Sequence, residues 1–394
     1  MFRQLFSSAL CPALCAGLLL AGCATDAYGV VANGVNGAKL ATAQSIPAEA
    51  ASGAIRAVPM PSAPLDKTTS LQRIIFASCA QQNEDQSMWD ALVAADPDLT
   101  LYMGDNVYGD VRSNDPALPE LKAAYMRLAQ SAPFARLRAV APMLTVWDDH
   151  DYGLNDAGTH YPYKDSSQKL FNYVWDVPDD SPRRQRPGLY DSWMIGEAGR
   201  TVQIIMLDTR YFRDDLMPTD ERGAPGKERY IPDTDRTKTM LGPEQWAWLA
   251  QELEKPADLR LLVSSIQVHA DGHGWEAWRT LTRERDRLYA MLANAGADNT
   301  IILSGDRHAA ALYERTDVAP FPLVEATSSS INLPAARWRA QSGETRMEAG
   351  PHRLGDMIYE ANFGTLDIDW PARTVDIAIR GEDGDVISSK QVQF

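Results

Sequence analysis

In Gly104-Asp105-Asn106-Val107-Tyr108-Gly109-Asp110 a carboxylate and a phenol stand three residues apart, directly after the apolar run Leu99–Met103. Oxygen donors of this kind suit hard cations, and the two glycines let the backbone approach an ion or a phosphate closely. Taken alone, the heptapeptide reads equally well as a turn rich in Gly, Asn and Asp. The arrangement recurs along the chain, however. Met143–Trp147 runs into Asp148-Asp149-His150-Asp151, Thr300–Leu303 into Gly305-Asp306-Arg307-His308, and Arg73–Ala77 into Cys79. Val202–Leu207 leads to Asp208 and Arg210, and Leu261–Ile266 leads towards His269. Phenolate, carboxylate and thiolate together serve a trivalent ion well, while further carboxylates suit calcium or a divalent transition ion. Metals held close together can clamp both the attacking and the leaving oxygen of a phosphoryl group and generate hydroxide near neutral pH.

Each of these residues ends a short apolar run, and continuous runs of that kind predict strands covered on both faces. Ligands at strand carboxyl ends follow the general rule for α/β sheets. Residues 84–95, 117–130, 243–254 and 277–295 are long enough for helices, and Gly242-Pro243-Glu244 puts proline where a helix start tolerates it. After Asp306 the runs shorten to β-type stretches near 310–314, 321–326, 363–369 and 373–380, which predicts a second sheet packed on the first. Trp275 and Trp278 read as core or pocket wall.

The chain has 394 residues, 45% of them apolar, which is enough for one large domain or two ordinary ones. Its formal charge of -15 leaves no basic field for a nucleic-acid backbone, so bound cations would have to attract an anionic substrate. Arg3, an apolar segment from Leu5 to Leu20 and Leu20-Ala21-Gly22-Cys23 have the order of an export signal. This end resembles a bacterial lipoprotein signal. Cleavage before Cys23 and lipidation of its thiol are therefore expected, with residues 1–22 removed and the mature protein outside the cytoplasm. The alternative is an ordinary secretory signal cut nearby. Ala24, in place of Asp, agrees with outer-membrane sorting in a host with two membranes; the mature chain would then face the periplasm or cell surface. Residues 23–70 read as a lipidated cysteine and a Pro-, Ala- and Gly-rich tether, and 71–394 as the catalytic domain. Cys79 is then left without a disulfide partner, either as a buried thiol or as a metal-held thiolate.

The ordered set of Cys79, Gly-Asp-x-x-Tyr at 104–108, Asp-Asp-His at 148–150, Ser-Ser-x-Gln at 264–267 and Gly-Asp-x-His at 305–308 resembles the alkaline phosphatase D-like branch of the calcineurin-like metallophosphatases. The resemblance implies an α/β fold, a four-layer α/β/β/α sandwich of two mixed sheets flanked by helices. It places the metal ligands on Cys79, Asp105, Tyr108, Asp149, Asp306 and His308, with Asp105 as the bridge, and implies an iron (Fe3+) and calcium centre; other divalent metals suit the same oxygens. His150 is the candidate for protonating the leaving group, oriented by Asp148 or Asp151. Asn106, Asn155, Arg210 and Arg307 are candidate contacts for phosphate or water, and His269 reads as a neighbour of the centre and not a ligand. The expected substrate is a phosphomonoester or phosphodiester, and no feature points to a protein partner. A phospholipase D-like lipid hydrolase and a non-catalytic surface lipoprotein that keeps the fold remain as alternatives. Residues 24–70 are too short for the amino-terminal β-sandwich of longer members, and the absence of a helical extension after the last strand-like run argues against a lid.

Overall fold

The computed structural model describes residues 56–394. The signal, Cys23 and most of the proposed tether lie outside these residues. The described residues contain thirteen strands and eight α-helices. The strands are β1 (Arg73–Ala77), β2 (Leu99–Met103), β3 (Met143–Val146), β4 (Asp191–Ile195), β5 (Val202–Met206), β6 (Leu259–Val263), β7 (Thr300–Ser304), β8 (Ala310–Arg315), β9 (Leu323–Thr327), β10 (Arg353–Ile358), β11 (Phe363–Asp369), β12 (Thr374–Arg380) and β13 (Val386–Gln393). The helices are α1 (Met88–Ala94), α2 (Pro119–Ala129), α3 (Ala132–Val140), α4 (Asp149–Tyr152), α5 (Lys164–Val174), α6 (Gly242–Leu253), α7 (Thr282–Asn294) and α8 (Ala336–Ser342).

Alternation along the strands builds the layers, because successive side chains leave opposite faces of a sheet. Ile74, Phe76, Leu99, Leu101, Ile204, Leu261, Val263, Ile301 and Leu303 share one core between the two sheets. Their neighbours Ile75 and Tyr102 face instead a core that includes Trp89, Leu121 and Phe134 from α1, α2 and α3. On the far side, Ile205, Leu262 and Ile302 meet Trp246, Leu249, Leu288 and Leu292 of α6 and α7. The result is the four-layer α/β/β/α sandwich. Burying each such side chain contributes roughly 1.5–3 kcal/mol, so a change such as Leu261→Ala in the central core should cost about 2–5 kcal/mol.

Strand order differs from the simple expectation. One sheet runs β13-β12-β11-β1-β2-β3 and the other β10-β8-β9-β7-β6-β5-β4. The early apolar runs thus divide between both sheets, β1–β3 pairing parallel in the first and β5–β7 in the second. The later strands do not form a sheet of their own. β11 pairs antiparallel with β1, β12 and β13 follow it, and β9 pairs parallel with β7. The folded body also begins before Leu71: Met60 is buried, its N–H bonds to the Val174 carbonyl, and Arg138 bonds to the Pro61 carbonyl. Among the described residues no helix is long and apolar enough to cross a membrane.

Candidate metal centre

The carboxyl ends of β1, β2, β3 and β7 deliver Cys79, Asp105, Asp148-Asp149 and Asp306 to one place. Among the described residues four groups of donor atoms lie within 4.8 Å: Asp149 with Asp156 and Glu276, Asp105 with Asp149 and His150, and the two that hold the expected ligands, Cys79, Asp105 and His308 in one and Asp105, Asp148, Asp149 and Asp306 in the other. Asp105 belongs to both of these last two. Tyr108 joins the Cys79 group through its hydroxyl, 3.2 Å from Nε2 of His308. The chain turns sharply at these points, since Cys79, Asp105, Asp306 and His308 all have left-handed backbones, with φ of 58°, 49°, 69° and 52°. Residues with side chains adopt that region at a cost, and such strain concentrates at functional sites. Glycines supply the close contacts: a Cβ on Gly104 would lie 2.6 Å from Cβ of Asp148, and one on Gly305 2.4 Å from Oγ of Ser78.

The two sheets are laced together here. Ser78 Oγ donates to the Ser328 carbonyl at 2.9 Å, and Ser329 Oγ lies 3.0 Å from Sγ of Cys79. Asp148 is gripped from the second sheet by Arg210 at 2.5 Å and by Ser265 Oγ at 2.6 Å, both on Oδ1. Arg210 is fully buried, and its other arm pairs with Glu276 at 2.6 Å; Arg213 holds the second Glu276 oxygen at 2.9 Å.

The electrostatics suit cations. Burial, then the charges of Asp149 and Cys79, holds the Asp105 carboxyl well above the usual range. Burial, then Asp148 and Asp149, does the same to Asp306. Burial pushes the Cys79 thiol up to about 12. Burial also raises Asp148, with Arg210 opposing that rise. Acids this crowded ionise together only with a multivalent ion among them. Asp148 Oδ2 is buried without a hydrogen-bond partner, as an oxygen reserved for such an ion would be. The donor set therefore fits metal binding: thiolate, phenolate and imidazole on one side, carboxylates on the other. His308 is prepared for it, since burial lowers it to about 4 and its Nδ1–H donates to the Leu333 carbonyl at 2.5 Å, which leaves the Nε2 lone pair facing Tyr108.

Residues 74–378 match the family described as PhoD-like phosphatase. The chain belongs to that family. It is accordingly a metal-dependent phosphoric ester hydrolase. Among solved structures the PhoD-like chain is similar to PhoD, at 17% identity over 85% of this chain and 70% of that one, with a TM-score of 0.61. It is also similar to purple acid phosphatase PPD1 from seeds of yellow lupin (Lupinus luteus), at 12% identity over 84% of this chain and 55% of that one, TM-score 0.53. GAP50, the anchor in the inner membrane complex of Plasmodium, matches at 14% identity over 83% and 90%, TM-score 0.51. At such identities the likeness is one of fold. No curated protein sequence matches the chain.

The PhoD-like fold brings all six expected ligands together, but it places several other expected residues differently. The ring of His150 is held by Asp110, Oδ1 to Nδ1 2.8 Å, and not by Asp148 or Asp151. Asp151 instead accepts the backbone N–H of Asp148 at 2.7 Å and the Asn106 amide at 2.6 Å, closing the start of α4. Asn106 is fully buried, also bonded to the Val146 carbonyl, and so braces this turn from within. Arg210 is locked between Asp148 and Glu276, which takes it out of reach of a phosphate. Arg307, between Asp306 and His308 in the chain, pairs with Glu348. Asn155 lies half-buried in the turn whose next residue, Asp156, donates its N–H to Asp149 Oδ2 at 2.6 Å. His269 is in the core of the second sheet, bonded to Tyr289 and the Leu323 carbonyl, away from the donor groups. Burial alone would lower His150, but Asp149 and Asp110 outweigh it and raise the ring to about 9.

Sequence reasoning missed Asp110, Asp156, Glu276 and Arg213. Asp110 had a signal, as the last residue of the same turn that carries Asp105 and Tyr108. Glu276 had none, because its partners Arg210 and Arg213 lie more than sixty residues away in the chain.

Proposed function

We propose that this chain is an exported phosphoesterase that hydrolyses phosphomonoesters or phosphodiesters with an attacking water at an iron and calcium centre. The observation that carries it is the pair of donor groups sharing Asp105. Cys79, Tyr108 and His308 with Asp105 would hold the iron, and Asp148, Asp149 and Asp306 with Asp105 the calcium or another divalent ion. When bound, the cations supply positive charge for the phosphoryl oxygens and make a water acidic enough to attack near neutral pH. His150 acts as the general acid. Its Nδ1–H is engaged by Asp110, so its Nε2 proton is the one free to pass to the leaving oxygen. Arg210 and Ser265 fix Asp148 so that only its second oxygen points into the centre.

Metal analysis of protein purified without chelator, followed by aryl phosphates, bis-aryl phosphates and phospholipids as substrates, tests the reading. Turnover of an aryl phosphate or its diester with iron present is expected. Preferential turnover of phospholipid would move the chain to lipid hydrolysis, and no turnover in any metal-reconstituted sample would make it a binding module. The export part rests on Leu20-Ala21-Gly22-Cys23 in the sequence. A Cys23→Ala variant should leave the membrane fraction; if it pellets as the parent does, lipid anchoring is wrong.

A further inference from the structure

We infer that the buried hydroxyl of Ser329 sets how strongly the Cys79 sulfur donates to a bound metal; this deepens the metal-centre reading and rests on Cys79 acting there as a thiolate ligand. Ser329 lies in the segment Ser328-Ser329-Ser330 that follows β9, and all three serines are fully buried. Its Oγ accepts the His308 N–H at 2.7 Å and donates to Sγ of Cys79 at 3.0 Å. Accepting from His308 uses a lone pair and leaves the single hydroxyl proton to the sulfur. One hydroxyl thus meets two of the expected ligands, the sulfur of one and the backbone of the other. Ser78 lies nearby but plays another part. Its Oγ is 3.5 Å from the sulfur and 2.9 Å from the Ser328 carbonyl. With one proton to give, it gives it to the carbonyl, since sulfur is the weaker acceptor.

The serine segment is held in place by bonds other than this one. Asn362, buried just before β11, accepts from Ser328 Oγ at 3.1 Å and donates its amide to the Ser329 carbonyl at 2.9 Å. Its backbone N–H reaches the Ser330 carbonyl at 2.9 Å, and the Ser328 N–H reaches the Ser304 carbonyl at 3.0 Å. Ser330 Oγ donates to the Cys79 carbonyl and accepts the Leu333 N–H at 2.8 Å. The backbone on both sides of the sulfur is therefore fixed, and the Ser329 hydroxyl is left to the sulfur and the His308 N–H. A thiolate pushes electron density onto a metal ion, and a hydrogen bond to the sulfur draws part of it back. An ion oversupplied by sulfur attracts phosphoryl oxygens less. The Ser329 proton offsets the single soft donor in a set that is otherwise oxygen and imidazole, so the ion keeps its strength as a Lewis acid.

The test uses Co2+ as the probe, because a thiolate bound to cobalt gives a sulfur-to-metal charge-transfer band whatever ion the protein holds in the cell. In the Co2+-loaded full chain, Ser329→Ala should move that band to longer wavelength, since a sulfur without its hydrogen bond gives up an electron more easily. Ser329→Thr, which keeps the hydroxyl, and Ser78→Ala should leave the band at the parent position. Loading the parent in heavy water should shift the metal–sulfur stretch in its resonance Raman spectrum, and Ser329→Ala should lose that isotope shift. A band that Ser329→Ala leaves in place overturns the inference, and with less Co2+ retained it would make the serine a support for the His308 backbone only. An equal band shift in Ser78→Ala overturns it too. If Ser329→Ala does not load, the isotope shift decides: present in the parent and kept in Ser78→Ala it sustains the inference, and absent from the parent it ends it. A parent without a sulfur band, spectrally the same as Cys79→Ser, defeats the reading of Cys79 as a ligand and takes this inference with it.

Discussion

Replacing Asp110 by asparagine isolates what this carboxylate does for His150. The two side chains are 12% and 10% exposed and 2.8 Å apart. A hydrogen bond to a charged group in such a place contributes about 1.5–3 kcal/mol, or roughly 10- to 150-fold in rate at 1.36 kcal/mol per decade. Asparagine keeps an acceptor oxygen for Nδ1–H and loses only the charge, so the lower end of that range, roughly ten- to thirtyfold, is expected. The loss should appear with an alkyl phosphate, whose leaving oxygen needs a proton, and nearly vanish with nitrophenyl phosphate, whose leaving group does not. His150→Ala should lose roughly 10²–10⁴-fold on the alkyl ester with metal content unchanged. Because Asp110 acts through His150, the double variant should be no worse than His150→Ala alone. Steady-state kcat on both esters, with metal analysis of each variant, is the assay. Equal losses on the two esters would refute the acid role, and loss of metal in His150→Ala would make the ring a ligand.

If Tyr108 and Cys79 share one ferric ion, the purified protein should be coloured; Tyr108→Phe should bleach the band and Cys79→Ser shift it, whereas a spectrum indifferent to both would put the iron elsewhere. Arg210→Met strips the buried partners of Asp148 and Glu276 and should cost about 3–5 kcal/mol, read as a lower denaturant midpoint of the metal-free protein; an unchanged midpoint with a raised KM would return Arg210 to the substrate. Burial lowers His269 to about 3, so the unfolded chain binds its proton first as acid is added. The stability it contributes is full above about pH 6.5 and is lost as pH falls towards 3, about 2 kcal/mol by pH 5. His269→Gln should flatten the midpoint between pH 7 and 5, and an unaltered slope would show that other groups, such as buried His273, set it.

The helices show where local pattern sufficed. Those expected at 84–95, 117–130, 243–254 and 277–295 form as α1, α2, α6 and α7, because each has apolar positions that reach a core. Proline-bearing α3 and the polar α5 were not foreseen; α5 becomes a helix because Leu170 and Val174 find a core. The strands existed in the sequence as apolar runs, but their partners did not, since a run buried on both faces looks the same in either sheet.

For the centre, residue type and spacing pointed to donors at the ends of apolar runs, the family resemblance singled out Cys79, Asp105, Tyr108, Asp149, Asp306 and His308, and strand ends converge in an α/β sheet. Chemistry that must meet a metal is written in donor atoms, and a single chain segment carries those. Roles that depend on a neighbour are not. Asp110 and not Asp148 holds His150, Asp148 offers one oxygen to the centre because Arg210 and Ser265 occupy the other, and Arg210 faces Glu276 and not a phosphate. A buried charge settles on whichever opposite charge the packing brings within about 3 Å, and in the core between two sheets that partner comes from another sheet, far along the chain. Only the tertiary structure could decide it.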